Sequence, residues 1–325
     1  MRKPGPKERS AARRRQNRER KRERRVRARP VPPGRRYKIT RRCFERRLYL
    51  TPSSPEVKQI LGYLLGYCLH KYGLQLHAAC FMGNHYHLDV TDVRGNFPGF
   101  KSTFNGLVAR RLNAHRGRRD RFWSADRGCD VELTDDNDVI DRMSYTLANP
   151  VTAGLVPRAT RWPSLTTAGM AFGDSMHFRR PSGFFDEKDG DMPASTEVEL
   201  TRPNVMKDLT DGELHALLTD RVRVREQEAK AQLRKQKRRF MLESRIAKQH
   251  WNRKPRSTEE RFKTTPTVAA GCKWTRIAAL QRNREWEEAY ADARDADVPG
   301  ASPVYPFGTY LRRLYGGVRV AAAPS

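Results

Sequence analysis

The sequence predicts an α+β fold, a mostly antiparallel sheet with helices packed on it. Short stretches of alternating polarity recur between residues 37 and 134, and amphipathic segments with apolar residues at three- and four-residue steps separate them. A Gly-Asn turn joins two of the strands directly, which places a hairpin inside the alternation.

Taken in order, Ile39–Leu50 reads as a long strand with basic residues among apolar ones, ending at Thr51-Pro52-Ser53. Ser54 then caps a helix in which Val57, Ile60, Leu61, Leu64, Leu65 and Cys68 share a face up to Tyr72-Gly73. Gln75–Met82 is the second strand, Gly83-Asn84 the turn and His85–Val90 the third strand. A second amphipathic helix spans Phe97 to His115, with Phe100, Phe104, Leu107, Val108 and Leu112 on one face. Asp130–Thr134 is a short strand, and a helix opened by Asp135/Asp136 ends at Asn149, where Pro150 stops it. Beyond Gly183, Asp186–Pro193 is a polar linker and Glu197–Leu200 a strand. Thr210–Arg253 reads as one long basic helix, Thr275–Asp292 as another, and Tyr305–Val320 as a packed aromatic tail.

Charge divides the 325 residues differently. Lys and Arg number 65 against 37 Asp and Glu, a formal net charge of +28. Residues 1–36 carry +14 and residues 221–256 carry +11, which leaves +3 on the remaining 253. Two cationic segments on a nearly neutral body point to a polyanion, because Lys and Arg on phosphates release counterions whatever the base sequence. The expected organisation is a disordered basic tail over 1–36, a catalytic domain over 37–183, and a basic, mainly helical region over 184–325. No apolar run reaches membrane-spanning length, and the Arg-rich start lacks the apolar segment of a secretory signal. Cys43, Cys68, Cys80, Cys129 and Cys272 are scattered and odd in number, as in a cytoplasmic protein with reduced thiols.

The chemistry concentrates in two short stretches. In a strand, His85 and His87 share one face while Tyr86, Leu88 and Val90 take the other. Two imidazoles so placed can converge on a divalent cation, although such pairs on a solvent face commonly do nothing. Tyr145 and Asn149 stand four apart on a helix and so share a face. A phenol attacks phosphorus if the phosphate is polarised, and an amide oxygen is a fair ligand for Mg²⁺ or Mn²⁺. Asp89, two residues past His87, reads as a solvated carboxylate rather than an imidazole's partner. Arg110, Arg111, Arg116, Arg118, Arg119 and Arg121 crowd the end of the second helix, where they either grip a DNA backbone or complement the helix dipole. Phe122-Trp123 reads as core rather than as a base-stacking pair.

With these residues in view, the sequence resembles the single-tyrosine HUH transposases of the insertion-sequence 200/605-like family, especially the REP-associated tyrosine transposase branch. The resemblance rests on Gly83-Asn84-His85-Tyr86-His87-Leu88 and on the stretch from Tyr145 to Val156, which matches Y-x-x-x-N-P-V-x-A-G-L-V. It covers roughly residues 37–180. The resemblance implies a ferredoxin-like HUH endonuclease fold with His85, His87 and Asn149 holding Mg²⁺ or Mn²⁺ and Tyr145 as nucleophile. It further implies a nucleoid-associated DNA transposase that cleaves and rejoins hairpin-bearing single strands through a 5′-phosphotyrosine. The competing reading is a domesticated hairpin-binding protein of the same fold without turnover; monomer and homodimer remain equally open.

Overall fold

The computed structural model describes residues 28–125, 128–183, 192–255 and 266–323. Of the expected disordered tail over 1–36, residues 1–27 lie outside the described residues, as does most of the expected linker, whereas Arg35 and Arg36 already belong to a strand. The chain divides into two compact units, Val31–Arg282 and Met1–Pro30 with Asn283–Ser325.

The larger unit is built on a five-stranded sheet. Strands β1 (Arg35–Arg42), β2 (Leu74–Phe81), β3 (His85–Asp92), β4 (Cys129–Leu133) and β7 (Val268–Ala269) lie in the order β2-β3-β1-β4-β7. Neighbours among β1 to β4 are antiparallel, and β7 runs parallel to β4. Helix α1 (Pro55–Tyr72) connects β1 to β2, and α2 (Phe97–His115) connects β3 to β4. That succession and strand order make the ferredoxin-like arrangement, and the expected α+β class is what the chain adopts.

Strand alternation decides what each face of the sheet meets. Tyr37 and Ile39 of β1 join Tyr86, Leu88 and Val90 of β3 in a core with Ile60, Leu64, Phe100 and Phe104 from α1 and α2. Phe122 and Trp123 are buried in this same core, as the sequence suggested. The opposite face is covered by α3 (Asp136–Thr152), whose Val139, Ile140, Met143 and Leu147 pack with Val131 and Leu133 of β4 and Ala78 of β2. A bulge between Leu76 and Ala78 shifts the alternation of β2 at His77.

Strand β2, at one edge of the sheet, is hydrogen-bonded along its outer side, and β4 is covered by the β7 segment. On β2, Phe81 N donates to Leu165 O, Thr167 N to Ala79 O, and Thr201 N to Leu76 O. On β4, Glu132 N donates to Thr267 O and Thr134 N to Ala269 O.

A two-stranded ribbon, β5 (Ser175–Arg179) with β6 (Ser195–Glu199), packs on α1 through two glycines one helical turn apart. A Cβ on Gly62 would stand 2.3 Å from the Phe178 ring, and one on Gly66 would stand 2.5 Å from the Glu197 carbonyl. Helix α4 (Asp211–Lys235) begins with a complete capping box between Thr210 and Glu213 and lies against α3. A one-turn helix, α5 (Glu243–Ala247), follows it.

Several elements differ from expectation. β1 begins at Arg35 and ends at Arg42, because Glu45 and Arg46 at φ 52° and 59° turn the chain out of the sheet and Leu48–Leu50 sink into the core. Ser54 makes no side-chain cap to α1. Pro150 does not stop α3, which runs to Thr152. A proline in the last turn forfeits only one helical hydrogen bond, and Ala153 N still reaches Asn149 O. The long basic helix is broken after Lys235, where Arg234–Arg239 offers no apolar residue to bury and Lys237 turns to φ 53°. β5 carries only Phe178 as a buried residue and left no periodic signal.

The smaller unit takes the end of α6 (Lys273–Asp295), then β8 (Val304–Tyr305), α7 (Leu311–Tyr315) and β9 (Arg319–Val320), with β8 and β9 parallel. Tyr305 is fully buried there, its hydroxyl donating to Asp297, against Tyr290 which stacks on Trp286.

Candidate active site

The α3-covered face of the sheet carries polar groups beside its apolar cluster. Because β3 alternates, the same register that buries Tyr86 and Leu88 toward α1 and α2 turns His85, His87 and Asp89 toward α3. The two rings stand 4.8 Å apart between centroids at 86°. Tyr145 meets the His87 ring edge-on at 5.7 Å, and Asn149, one helical turn later, donates from Nδ2 to His87 Nε2 at 3.3 Å. The structure thus brings His85, His87, Tyr145 and Asn149 together from motifs about sixty residues apart. His87 and Asn149 are buried, whereas Tyr145 is 37% exposed.

The histidines are oriented by neighbours that spacing did not identify. Since the Asn149 amide donates to His87 Nε2, the ring's proton sits on Nδ1 and is donated to Thr40 Oγ1 at 2.8 Å. Thr40 pairs directly with His87 across β1 and β3. His85 Nδ1 donates to Asn84 Oδ1 at 2.6 Å, which makes Nε2 the ring's electron-pair donor. Burial, then the neighbouring His85, Lys38 and Arg42, hold His87 well below the usual imidazole range, so it stays neutral. Two rings fixed through Nδ1, with a side-chain amide beside one Nε2, form a donor set suited to a divalent cation. Among the described residues there is no cluster of three His, Cys, Asp or Glu that could hold a metal, so the set depends on the Asn149 amide.

Asp89 is not solvated. It is 1% exposed, accepts from Thr146 Oγ1 at 2.5 Å, and lies 3.7 Å from Lys38 Nζ. Lys38 Nζ in turn donates to Thr146 Oγ1 at 2.5 Å and to Arg142 O at 3.2 Å. Alternation alone could not reveal that α3 closes over this face. Burial pushes the Asp89 carboxyl up and the Lys38 amine down from their ordinary values. The network is charge-complementary and sits under the tyrosine, with Lys38 Nζ 4.8 Å from the Tyr145 ring centroid.

A second cation reaches the same ring from outside the motif-bearing region. Arg225 of α4 donates from Nε to Ser144 Oγ at 2.9 Å, forms an ion pair with Asp141, and holds its guanidinium carbon 5.9 Å from the Tyr145 centroid. Its only sequence signal was membership of the basic run.

The six arginines near α2 fall into two groups. Arg110, Arg119 and Arg121 are exposed. Arg111 donates to Ser182 O, Arg118 bonds Asn113 and lies 3.9 Å over Tyr49, and Arg116 lies 5.6 Å from the Trp251 ring. Burial lowers the Arg116 guanidinium to about 10.

No protein-family model matches the chain, and a search of curated proteins finds no match. One solved structure, described as that of a REP-associated tyrosine transposase bound to a REP hairpin, is 17% identical with a TM-score of 0.37. The match covers 44% of this chain and 82% of that one. The fold described above stands on its own strand order and register. Among the described residues no helix is long and apolar enough to cross a membrane.

Proposed function

We propose that the chain is a metal-dependent single-strand DNA transposase of the single-tyrosine HUH type. The observation that carries this reading is the convergence of an exposed phenol, two imidazoles and a side-chain amide at one place. His85, His87 and Asn149 would hold Mg²⁺ or Mn²⁺, which when bound neutralises and polarises a phosphate. Tyr145 presents its oxygen to phosphorus. A Tyr145 O–P bond forms and the P–O3′ bond breaks, leaving a 5′-phosphotyrosine and a 3′-hydroxyl; the phenol's proton passes to water and the leaving oxygen takes one back. The ester conserves the bond energy, so another strand's 3′-hydroxyl reverses the step and joins to the 5′ end. Lys38 and Arg225 keep positive charge beside the ring, and the two cationic segments supply affinity for the strand.

The test is adduct formation. Purified protein with Mn²⁺ and a randomised single-strand pool bearing a fixed hairpin is expected to give a protein–DNA band that survives SDS. Tyr145→Phe should abolish the band while binding persists. If the wild-type protein binds the pool and never yields the band, a hairpin-binding protein without turnover is the better reading.

A further inference from the structure

Beside His85 lies a cavity of about 300 Å³, the lower end of the range that small ligands occupy. One part of its lining is apolar, from Leu48, Met82, Trp162 and Met241; another part carries Arg42, Arg46 and Gln249. His85 itself lines it, so the cavity adjoins the candidate active site.

Its walls come from distant parts of the larger unit. One is the turn after β1 and the β2–β3 hairpin; the other is the stretch after α4 from Met241 to Pro255. That stretch is pinned in place. Met241 N and Leu242 N donate to Gly154 O and Leu155 O at 3.1 and 3.0 Å, just beyond the tyrosine helix. Further on, Leu48 N donates to Arg253 O at 3.1 Å and Arg47 Nη1 to Asn252 O at 2.8 Å. Leu242 sits at φ 69°, a state a leucine keeps only when its surroundings over-determine it. Trp162 is fixed by its own hydrogen bond, Nε1 to Phe81 O at 2.8 Å.

We propose that this cavity holds one unpaired nucleobase of single-stranded DNA, next to the phosphate on which Tyr145 acts; the proposal rests on the function proposed above. A nucleobase has apolar faces and a hydrogen-bonding edge, the same division as the lining, and is followed on either side by phosphate. Trp162, Met82 and Met241 give the faces their contacts, the Gln249 amide meets the edge, and Arg42 and Arg46 stand where the backbone phosphates pass. A base inside a duplex cannot enter, because both its faces are stacked. The segment after α4 therefore contributes a wall of the substrate site as well as charge.

The experiment is photocrosslinking with a hairpin-bearing randomised single-strand pool in which 5-iododeoxyuridine replaces thymidine, followed by mapping of the crosslinked peptides. The wild-type protein is expected to crosslink at Trp162, Met82 or Met241. Gln249→Trp, which fills the cavity from a partly exposed position, should cut those crosslinks about tenfold and leave total affinity for the pool within about threefold, since the charge of the cationic segments is unchanged. Crosslinks found only elsewhere, or undiminished in Gln249→Trp, overturn the proposal. So does the same yield at these residues when iododeoxyuridine is confined to the duplex stem. Adduct formation scored in the same samples separates the two readings. An adduct without cavity crosslinks defeats the cavity alone; cavity crosslinks without an adduct uphold it and defeat the tyrosine chemistry.

Discussion

The two faces of one sheet are built on different principles. Toward α1 and α2, Phe81, Tyr86, Phe100 and Phe104 interlock in an aromatic core with centroids 5.2 to 6.2 Å apart. Toward α3, the same strands present Thr40, Lys38, His87 and Asp89, each bonded to a partner from another element. The first face is held by area removed from water, which is non-directional and tolerant. The second adds to its apolar cluster a set of specific pairings, which are costly when broken but keep reactive groups at fixed distances. The candidate chemistry is thus confined to one side of the layer, while the other side is mainly apolar packing.

Phe104→Ala empties the aromatic face and should cost about 4 kcal/mol in urea unfolding, while adduct formation per folded molecule stays at the wild-type level. A matching loss of adduct chemistry would mean the faces are not separate. Lys38→Met strands the Asp89 carboxylate and should cost about 3 kcal/mol; adding Asp89→Leu should recover most of that loss, because an apolar pair leaves no unpaired buried charge. A double variant no more stable than the single would show the pair itself to be stabilising.

His77 tests whether polar burial makes stability pH-dependent. Its Nδ1 donates to Thr201 O, its Nε2 accepts from Thr91 Oγ1, and burial lowers its pKa to about 4. The unfolded chain takes up that proton near pH 6.5, before the folded one does, so stability is full above 6.5 and falls as the pH drops toward 4. The loss amounts to about 3 kcal/mol at the acid end. Urea titrations at pH 7.5 and 4.5 should show this dependence in the wild type and a reduced one in His77→Gln. The smallest effect concerns Arg225. Arg225→Ala should slow single-turnover adduct formation about tenfold with DNA affinity changed less than about threefold, and Arg225→Lys should restore part of the rate. An affinity loss with no change in rate would make Arg225 a plain phosphate contact.

Much of the fold was legible because its signals are local. Phe97–His115 has clean helical spacing, and Gly83-Asn84 between two apolar runs can hardly be anything but a hairpin turn. β5 and the break in α4 were not legible, since each depends on a surface supplied elsewhere in the chain. The site divides the same way. His85, His87, Tyr145 and Asn149 sit at spacings that put each pair on one face. Thr40, Lys38 and Arg225 reach the site only through strand pairing and helix packing, and Asp89 was misread because nothing in its neighbours announces that α3 covers it.

The hydrogen bonds along the outer edges of β2 and β4 bear on how copies of this protein could meet. An open strand is a template on which another chain can extend a sheet, and here passing segments of the same chain already occupy those positions. Association by strand addition at Leu76, Ala79 and Phe81, or at Glu132 and Thr134, would first require the chain to peel away its own backbone. Any pairing of two copies through the β2 edge of this layer must therefore be written in side chains.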